Sequence, residues 1–212
     1  MKIRALLADD HAVVRYGLRA LLELSGVQVI GEAGDGREAL RIAEEYKPDV
    51  AILDVAMPGL NGIDAAAVLR DRCPHTRVVI LSMHSDAEHV HRAFAAGASG
   101  YLLKGSASEE IVAAARAVLL GRRYLSRELA HIDRGRAERS DEPGPLDSLS
   151  ARERQVLQLV VEGHSSAGIA ELVNLSPKSV DTYRSRLMKK LGVSDVPALV
   201  RFAIQHGLTP GQ

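Results

Sequence analysis

Val50-Ala-Ile-Leu-Asp54-Val-Ala56-Met-Pro58-Gly59 is an apolar run that ends on one acid and passes at once into a loop with Pro and Gly. A short, almost wholly apolar run bounded by turn residues reads as a strand buried on both faces of a sheet. Open α/β sheets place their chemistry at the carboxyl ends of such strands. Asp54 is therefore expected at the rim of a buried sheet, held on a rigid base and open to solvent. A carboxylate there can act as a metal ligand, as a nucleophile or as a cap for the next turn. This stretch alone leaves all three open.

The pattern repeats on either side. Residues 3–8 form an apolar run ending in Asp9-Asp10, followed by Val14, Leu18, Leu21 and Leu22 at helical spacing. Residues 27–33 read as a strand, Asp35-Gly36 as a turn, and 39–46 as a helix stopped before Pro48. Beyond the Asp54 loop come a helix over 64–72, a strand over 77–82 and a helix over 87–96 closed by Gly97. A strand over 99–103 then ends at Lys104, and a helix over 108–119 is stopped by Gly121. Five strand–helix units within residues 1–125 predict a doubly wound parallel sheet with helices on both faces, in strand order 2-1-3-4-5. Four strand ends then deliver Asp9-Asp10, Asp54, Ser82 and Lys104 to one crevice.

Composition sets the bounds. A chain of 212 residues with 46% hydrophobic content suits one or two domains with sizeable cores. The formal net charge is zero, so no global field steers the chain toward nucleic acid or membrane. The balance is uneven: −1 over residues 1–125, −2 over 126–147 and +3 over 148–212. Cys73 is the single cysteine, which excludes an intrachain disulfide framework and fits a reducing compartment. The first residues run straight into a strand pattern without the apolar core of a signal peptide. No apolar run approaches the roughly 20 residues that span a bilayer. The expectation is a soluble, cytoplasmic protein.

Several carboxylates in one crevice repel one another, and a divalent cation resolves the conflict. Mg²⁺ fits best, because it takes hard oxygen ligands and keeps several waters. With only His11 near these strand ends, a softer metal fits less well. A carboxylate beside such an ion can also attack a phosphoryl group and form an aspartyl-phosphate. Phosphoryl transfer needs positioning and charge neutralisation above all. The Lys104 ammonium and the Ser82 hydroxyl would answer two more oxygens of the incoming group.

Asp9-Asp10, Asp54-Val-Ala-Met-Pro-Gly, Ser82, Tyr101 and Lys104, each after or on its own strand, resemble a two-component receiver domain over about residues 2–122. The resemblance implies that Asp54 is the phosphoacceptor. It implies Mg²⁺ bound by Asp10, Asp54 and the Ala56 carbonyl, with Asp9 close by. It also implies coupled rearrangement of Ser82 and Tyr101 on phosphorylation. Taken singly, Tyr101 reads as a core residue and Ser82 as a helix cap. Receivers often carry Pro after the lysine, where this chain has Gly105, a change that loosens the loop. His84, His89 and His91 suggest a metal site, but a solvated helix face is the simpler reading, with no acid or cysteine completing the group.

Residues 126–146 are charged and poor in apolar side chains, and read as a flexible tether, helical at most in its first turns. Leu149-Ser150-Ala-Arg-Glu153 then carries a capping box. Helices follow to Gly163, over 166–173, from Ser176-Pro177 to Gly192, and from Ser194-Asp195 to about His206. In the third, Val180, Tyr183, Leu187 and Leu191 share one side. Lys178, Thr182, Ser185 and Lys189 fall opposite, with Arg186 beside them. Such a face suits a major groove, although an ordinary solvated face is the alternative and +3 is a modest charge.

Leu149–Leu157, Gly163-His-Ser165, Ile169-Ala170, 175–180, Tyr183-Arg184-Ser-Arg186 and Lys190-Leu191 resemble the LuxR-type DNA-binding domain over about 147–208. Two departures stand out. Ala167-Gly168 sit where many members have Lys-Glu, and Asp181 sits where a base-reading Lys is common. An acid there would repel phosphate and could accept from a cytosine amino group.

The reading is thus a receiver domain over 1–125, a linker over 126–146 and a LuxR-type, four-helix DNA-binding domain over 147–212. Together these resemble a response regulator of the NarL/FixJ family. The resemblance implies a transcription factor rather than an enzyme. A partner histidine kinase would phosphorylate Asp54 with Mg²⁺. Lys104 and Ser82 would assist, and the product would dimerise on double-stranded DNA. Lys178, Asp181, Thr182, Arg184, Ser185, Arg186 and Lys189 are the candidate contacts. Two other functions fit the sequence less well. An aspartyl-phosphate phosphatase of the haloacid type needs a second acid where Ala56 stands. A ligand-sensing LuxR-type receptor conflicts with the five-strand pattern and the absence of Trp.

Overall fold

Strict alternation of buried side chains organises the first unit. In the computed structural model, which describes residues 2–106, 108–135, 145–206 and 208, the chain divides into two compact units between residues 140 and 141.

The first unit begins with β1 (Arg4–Ala8), α1 (Ala12–Leu24), β2 (Gln28–Ala33), α2 (Gly36–Tyr46), β3 (Val50–Asp54) and α3 (Gly62–Arg72). It continues with β4 (Arg77–Ser82), α4 (Ala87–Ala95), β5 (Gly100–Leu103) and α5 (Ser108–Leu119). The strands lie in the order β2-β1-β3-β4-β5-β6, with β6 the short Tyr124–Leu125, and every pair is parallel. Leu6, Ala8, Ala51, Leu53, Val78, Ile80 and Tyr101 point to one face, onto Ile42 of α2, Leu69 of α3 and Val90 of α4. Ala5, Leu7, Val50, Ile52, Val79, Leu81 and Leu102 point to the other, onto Leu22 of α1 and Val118 of α5. Side chains alternate along a strand, so a sheet covered on both faces requires apolar residues at successive positions. Burying each such Leu, Ile or Val stabilises the fold by about 1.5–3 kcal/mol before ordering costs.

The expected five strands gain a sixth at the edge. Tyr124 pairs with Gly100 and Leu125 with Tyr101. Tyr124 packs on the α5 face and Leu125 on the α4 face, so two residues suffice to continue both cores. A 3₁₀ turn over Arg127–Leu129 and α6 (Ala130–Gly135) follow. Leu129 and Ile132 are buried in the same core as Tyr101, and Ser126 is fully buried. This corrects the reading of 126–132 as part of a tether. Leu125, Leu129 and Ile132 recur at helical spacing and bury one stripe, which the overall charge of the segment conceals. The remaining tether residues 136–144, including Arg136 and most of the Ser140–Pro145 run, lie outside the described residues.

The second unit is all helical: α7 (Ala151–Val161), α8 (Ser166–Val173), α9 (Pro177–Leu191) and α10 (Val196–Gln205). Each start is capped by a side chain accepting from the backbone: Ser150 from Glu153, Ser165 from Gly168, Ser176 from Ser179, and Asp195 from Ala198. Ser150 and Glu153 complete the expected capping box. Asn174 and Gly192 close α8 and α9 in the left-handed region, at φ of 56° and 66°. Leu149, Leu157, Ile169, Val180, Leu187 and Leu199 form the core.

Candidate functional site

Every pairing in the sheet is parallel, so the carboxyl ends of β1, β3, β4 and β5 open on one side. The chain reverses its direction of growth between β1 and β3, which places a crevice there. Asp9 follows β1, Asp54 ends β3, Ser82 ends β4 and Lys104 follows β5. Gly62 opens α3 against the Asp54 carbonyl. A Cβ at Gly62 would meet that oxygen at 2.1 Å, so the close seat of the Asp54 strand end requires glycine.

Three of the predicted side chains, Asp9, Asp54 and Lys104, meet directly. Lys104 Nζ lies 2.8 Å from Asp54 Oδ2 and 2.9 Å from Asp9 Oδ2. Both carboxylates are buried, each residue only 1% exposed, so Asp54 is less open to solvent than its place at the rim suggested. The ammonium brings charge to these two oxygens, yet neither has a donor aligned on it as a hydrogen bond. Burial pushes the Asp54 carboxyl above the usual carboxylate range, only partly countered by the Lys104 ammonium and the Ala56 N–H. Burial also works against the Lys104 charge, but its contacts with Asp54 and Asp9 outweigh it and leave the ammonium harder to deprotonate than usual.

Asp10 stands at the mouth of the crevice, with His11 Nδ1 2.6 Å from its Oδ1. The His11 N–H donates to Asp9 Oδ1 at 2.8 Å. Asp9, Asp10, His11 and Asp54 offer ligand atoms within 4.8 Å of one another. Three carboxylates against one ammonium leave the crevice negative. The residues present therefore fit a hard divalent cation.

Ser82 is fully buried, and its Oγ accepts from the His84 N–H at 3.0 Å. The Tyr101 hydroxyl donates to the His84 carbonyl at 2.9 Å. Burial raises the Tyr101 pKa strongly, with the Ser82 hydroxyl acting the other way. Ser82 and Tyr101 thus hold the two ends of the same residue. Lys104 itself is anchored through its N–H, which donates to the Ser82 carbonyl at 2.8 Å.

The histidines depart from expectation. His89 is 2% exposed and its Nδ1 lies 2.8 Å from Asp86, so an acid does complete the group and the face is not solvated at that position. The β4–α4 loop folds back far enough to seat His89 under His84, which sequence spacing alone does not show. The two rings stack in parallel, centroids 4.2 Å apart and planes 7° apart. His84, Asp86 and His89 each offer a ligand atom within 4.8 Å of the others, so the acid completes a group that the sequence reading left incomplete. Burial and the neighbouring His89 both lower the His84 pKa. His91 is exposed.

In the second unit α9 divides as its spacing predicts. Val180 and Leu187 are fully buried, and Tyr183 and Leu191 pack against the same core. Lys178, Asp181, Thr182, Ser185, Arg186 and Lys189 are exposed, and Arg184 is half-buried. Thr182 Oγ1 donates to the Lys178 carbonyl at 2.9 Å. Asp181 is not a loose acid: Ser166 Oγ donates to its Oδ1 at 2.7 Å, tying α8 to α9. Lys190 is exposed along its stem but its ammonium lies 2.7 Å from the buried Glu153. For Glu153, burial acts upward, but hydrogen bonds from Lys190 and Ser150 outweigh it and hold the carboxyl below the usual range. Sequence reading missed this pairing, whose only signal was the acid inside the capping box.

Among the described residues no helix is long and apolar enough to cross a membrane. Residues 5–116 match the family described as response regulator receiver domain, and 147–203 match bacterial regulatory proteins of the luxR family. The chain is 38% identical over 211 residues to the response regulator GacA of Pseudomonas aeruginosa, covering 97% of each. It is similar to a solved structure of the RcsB response regulator of Salmonella typhimurium, at 25% identity, 98% coverage of each chain and a TM-score of 0.69. It is also similar to a response regulator RcsB–DNA complex, at 26% identity, 95% of this chain, 98% of that one and a TM-score of 0.59. The match over nearly the full length of GacA, with both family assignments falling on the two structural units, places this chain in the NarL/FixJ family of response regulators, a receiver domain with a LuxR-type helix-turn-helix domain.

Proposed function

We propose that Asp54 is the phosphoacceptor, that a sensor histidine kinase is the donor, and that the modification controls DNA binding by α9. The observation that carries this is the Lys104 ammonium set between the buried Asp54 and Asp9 carboxylates, with Asp10 at the mouth of the same crevice. Such a crevice is electrostatically incomplete until more positive charge enters.

Asp9, Asp10 and Asp54, with the Ala56 carbonyl, would hold Mg²⁺. When bound, the ion supplies charge neutralisation for the transferring group. A carboxylate oxygen of Asp54 attacks phosphorus, the bond from phosphorus to the kinase imidazole breaks with its electron pair returning to the ring, and the imidazole, already protonated on its other nitrogen, leaves as the neutral ring. Lys104 stays protonated and turns to a phosphoryl oxygen. Ser82 Oγ donates to another, which releases its hold on the His84 N–H. Tyr101 is bonded to the other end of His84 and follows, so the change reaches the α4 face of the sheet.

The domains are 1–125 for the receiver, 126–146 for the connection, whose first residues extend the receiver core, and 147–212 for DNA binding. Lys178, Arg184, Arg186 and Lys189 would meet phosphates, while Asp181, Thr182 and Ser185 would face base edges. A dimer formed on phosphorylation would bind two half-sites about 10 bp apart or a multiple of that. The RcsB–DNA complex, a similar chain seated on DNA, supports the DNA reading. The protein would act in the cytoplasm. The test is operator affinity before and after acetyl phosphate with Mg²⁺, in the wild type and in Asp54→Asn. The wild type gains affinity and the variant does not; equal gain in both rejects the control mechanism.

A further inference from the structure

Gly105 follows Lys104 and brings no side chain to stiffen the loop, yet the lysine is held within 3 Å of two carboxylates. The Lys104 N–H bond to the Ser82 carbonyl holds one side of the loop, and the contacts of Ser126 hold the other. Ser126 is fully buried. Its Oγ accepts from the Leu103 N–H at 3.1 Å and shares a 2.7 Å hydrogen bond with Ser106 Oγ. Its N–H donates to the Tyr101 carbonyl at 3.0 Å, and its carbonyl accepts from the Leu129 N–H at 2.9 Å. One residue therefore brackets the Lys104 loop at 103 and at 106, closes the last strand, and opens the 3₁₀ turn over Arg127–Leu129.

We propose that Ser126 is the positioning residue for Lys104, and that through it the state of the phosphoryl site is felt in the segment by which the chain leaves the receiver. Lys104 reaches Asp54 only from a loop held at fixed height above the sheet. The Ser126 hydroxyl sets that height from below, in place of a stiff peptide bond. The same side chain sits at the foot of a segment whose Leu129 and Ile132 share a core with Tyr101. A pull on Lys104 by a new phosphoryl group is thus transmitted along hydrogen bonds to residues 124–132. This rests on the reading of Asp54 as phosphoacceptor.

The test uses the full chain, with Mg²⁺ alone and with Mg²⁺ plus beryllofluoride as the phosphoryl mimic. Calorimetry gives the Mg²⁺ affinity, fluorine resonance gives the beryllofluoride affinity, and amide hydrogen exchange reports on 82–84, 103–106 and 124–132. Ser126→Ala leaves the carboxylates untouched, so Mg²⁺ affinity is expected to hold. Beryllofluoride affinity is expected to fall about five-fold, the scale of one neutral hydrogen bond. In the wild type the mimic alters exchange at 124–132, and in Ser126→Ala that response is lost while the response at 82–84 persists. Ser106→Ala keeps the Leu103 bond and is expected to lose less than Ser126→Ala. Equal losses of Mg²⁺ and beryllofluoride affinity in Ser126→Ala would mark a general structural role and overturn the proposal. So would a wild-type response at 82–84 with none at 124–132, or a loss in Ser106→Ala as large as in Ser126→Ala. No wild-type response anywhere would instead reject the phosphoacceptor reading, and this inference with it.

Discussion

Asp54 is a buried carboxylate that its surroundings resist charging. Burial is the larger effect, and the Lys104 ammonium only partly offsets it, so the folded-state pKa lies above the unfolded one. A raised pKa contributes stability that is present below the unfolded pKa and lost as pH rises through the folded one. At neutral pH, without added metal, the ionised Asp54 therefore detracts from stability. Asp54→Asn is expected to melt higher than the wild type at pH 7, with the gap closing as the pH falls below the ordinary carboxylate range. Melting curves at several pH values in a chelator check this, and a variant that melts lower at pH 7 contradicts it. Added Mg²⁺ is expected to raise the wild-type melting temperature and to do less for the variant, whose neutral amide offers a poorer ligand.

Elements carry the next set of consequences. The buried strands were legible because a sheet covered on both faces leaves an unbroken apolar run, as in Val50–Leu53, and because each run ends on a polar residue. The convergence of Asp9, Asp54, Ser82 and Lys104 followed from strand order alone. The helical first turns after residue 126 were legible, but their burial was not. Their burial depends on Leu125, Leu129 and Ile132 meeting a core built by distant strands, while the charges between them set the average composition. The histidine stack was hidden for a related reason, since it depends on the path of the β4–α4 loop. Leu129→Ala is expected to destabilise the first unit by about 2–5 kcal/mol, as emptying a buried leucine site does. Denaturant unfolding followed separately in each unit checks it, and no change in the first would restore the tether reading for this stretch. On α9, Asp181 is fixed by Ser166 and places negative charge on an otherwise basic face. Asp181→Lys is expected to tighten non-specific DNA binding and steepen the logarithmic salt dependence by about one to two. A salt titration on random duplex DNA measures both, and an unchanged slope would place residue 181 outside the DNA-facing surface.

At the scale of the whole molecule, two units with separate cores divide the work. The first presents a crevice with three carboxylates against one ammonium, and the second presents a helix with one apolar and one largely basic face. Neither feature explains the other without an event that changes the first, and phosphorylation of one carboxylate is the smallest such event the geometry accommodates. The proposed chemistry uses a few side chains on a rigid sheet end, and the Ser82–His84–Tyr101 contacts and Ser126 lead outward from them. Its most direct test is peptide-level mass spectrometry of the full chain after incubation with acetyl phosphate. With Mg²⁺ present, one phosphoryl group is expected on the peptide containing Asp54, and none when Mg²⁺ is withheld or when Asp54 is replaced by Asn. A phosphoryl group found on another peptide, or persisting in Asp54→Asn, would contradict the assignment of Asp54.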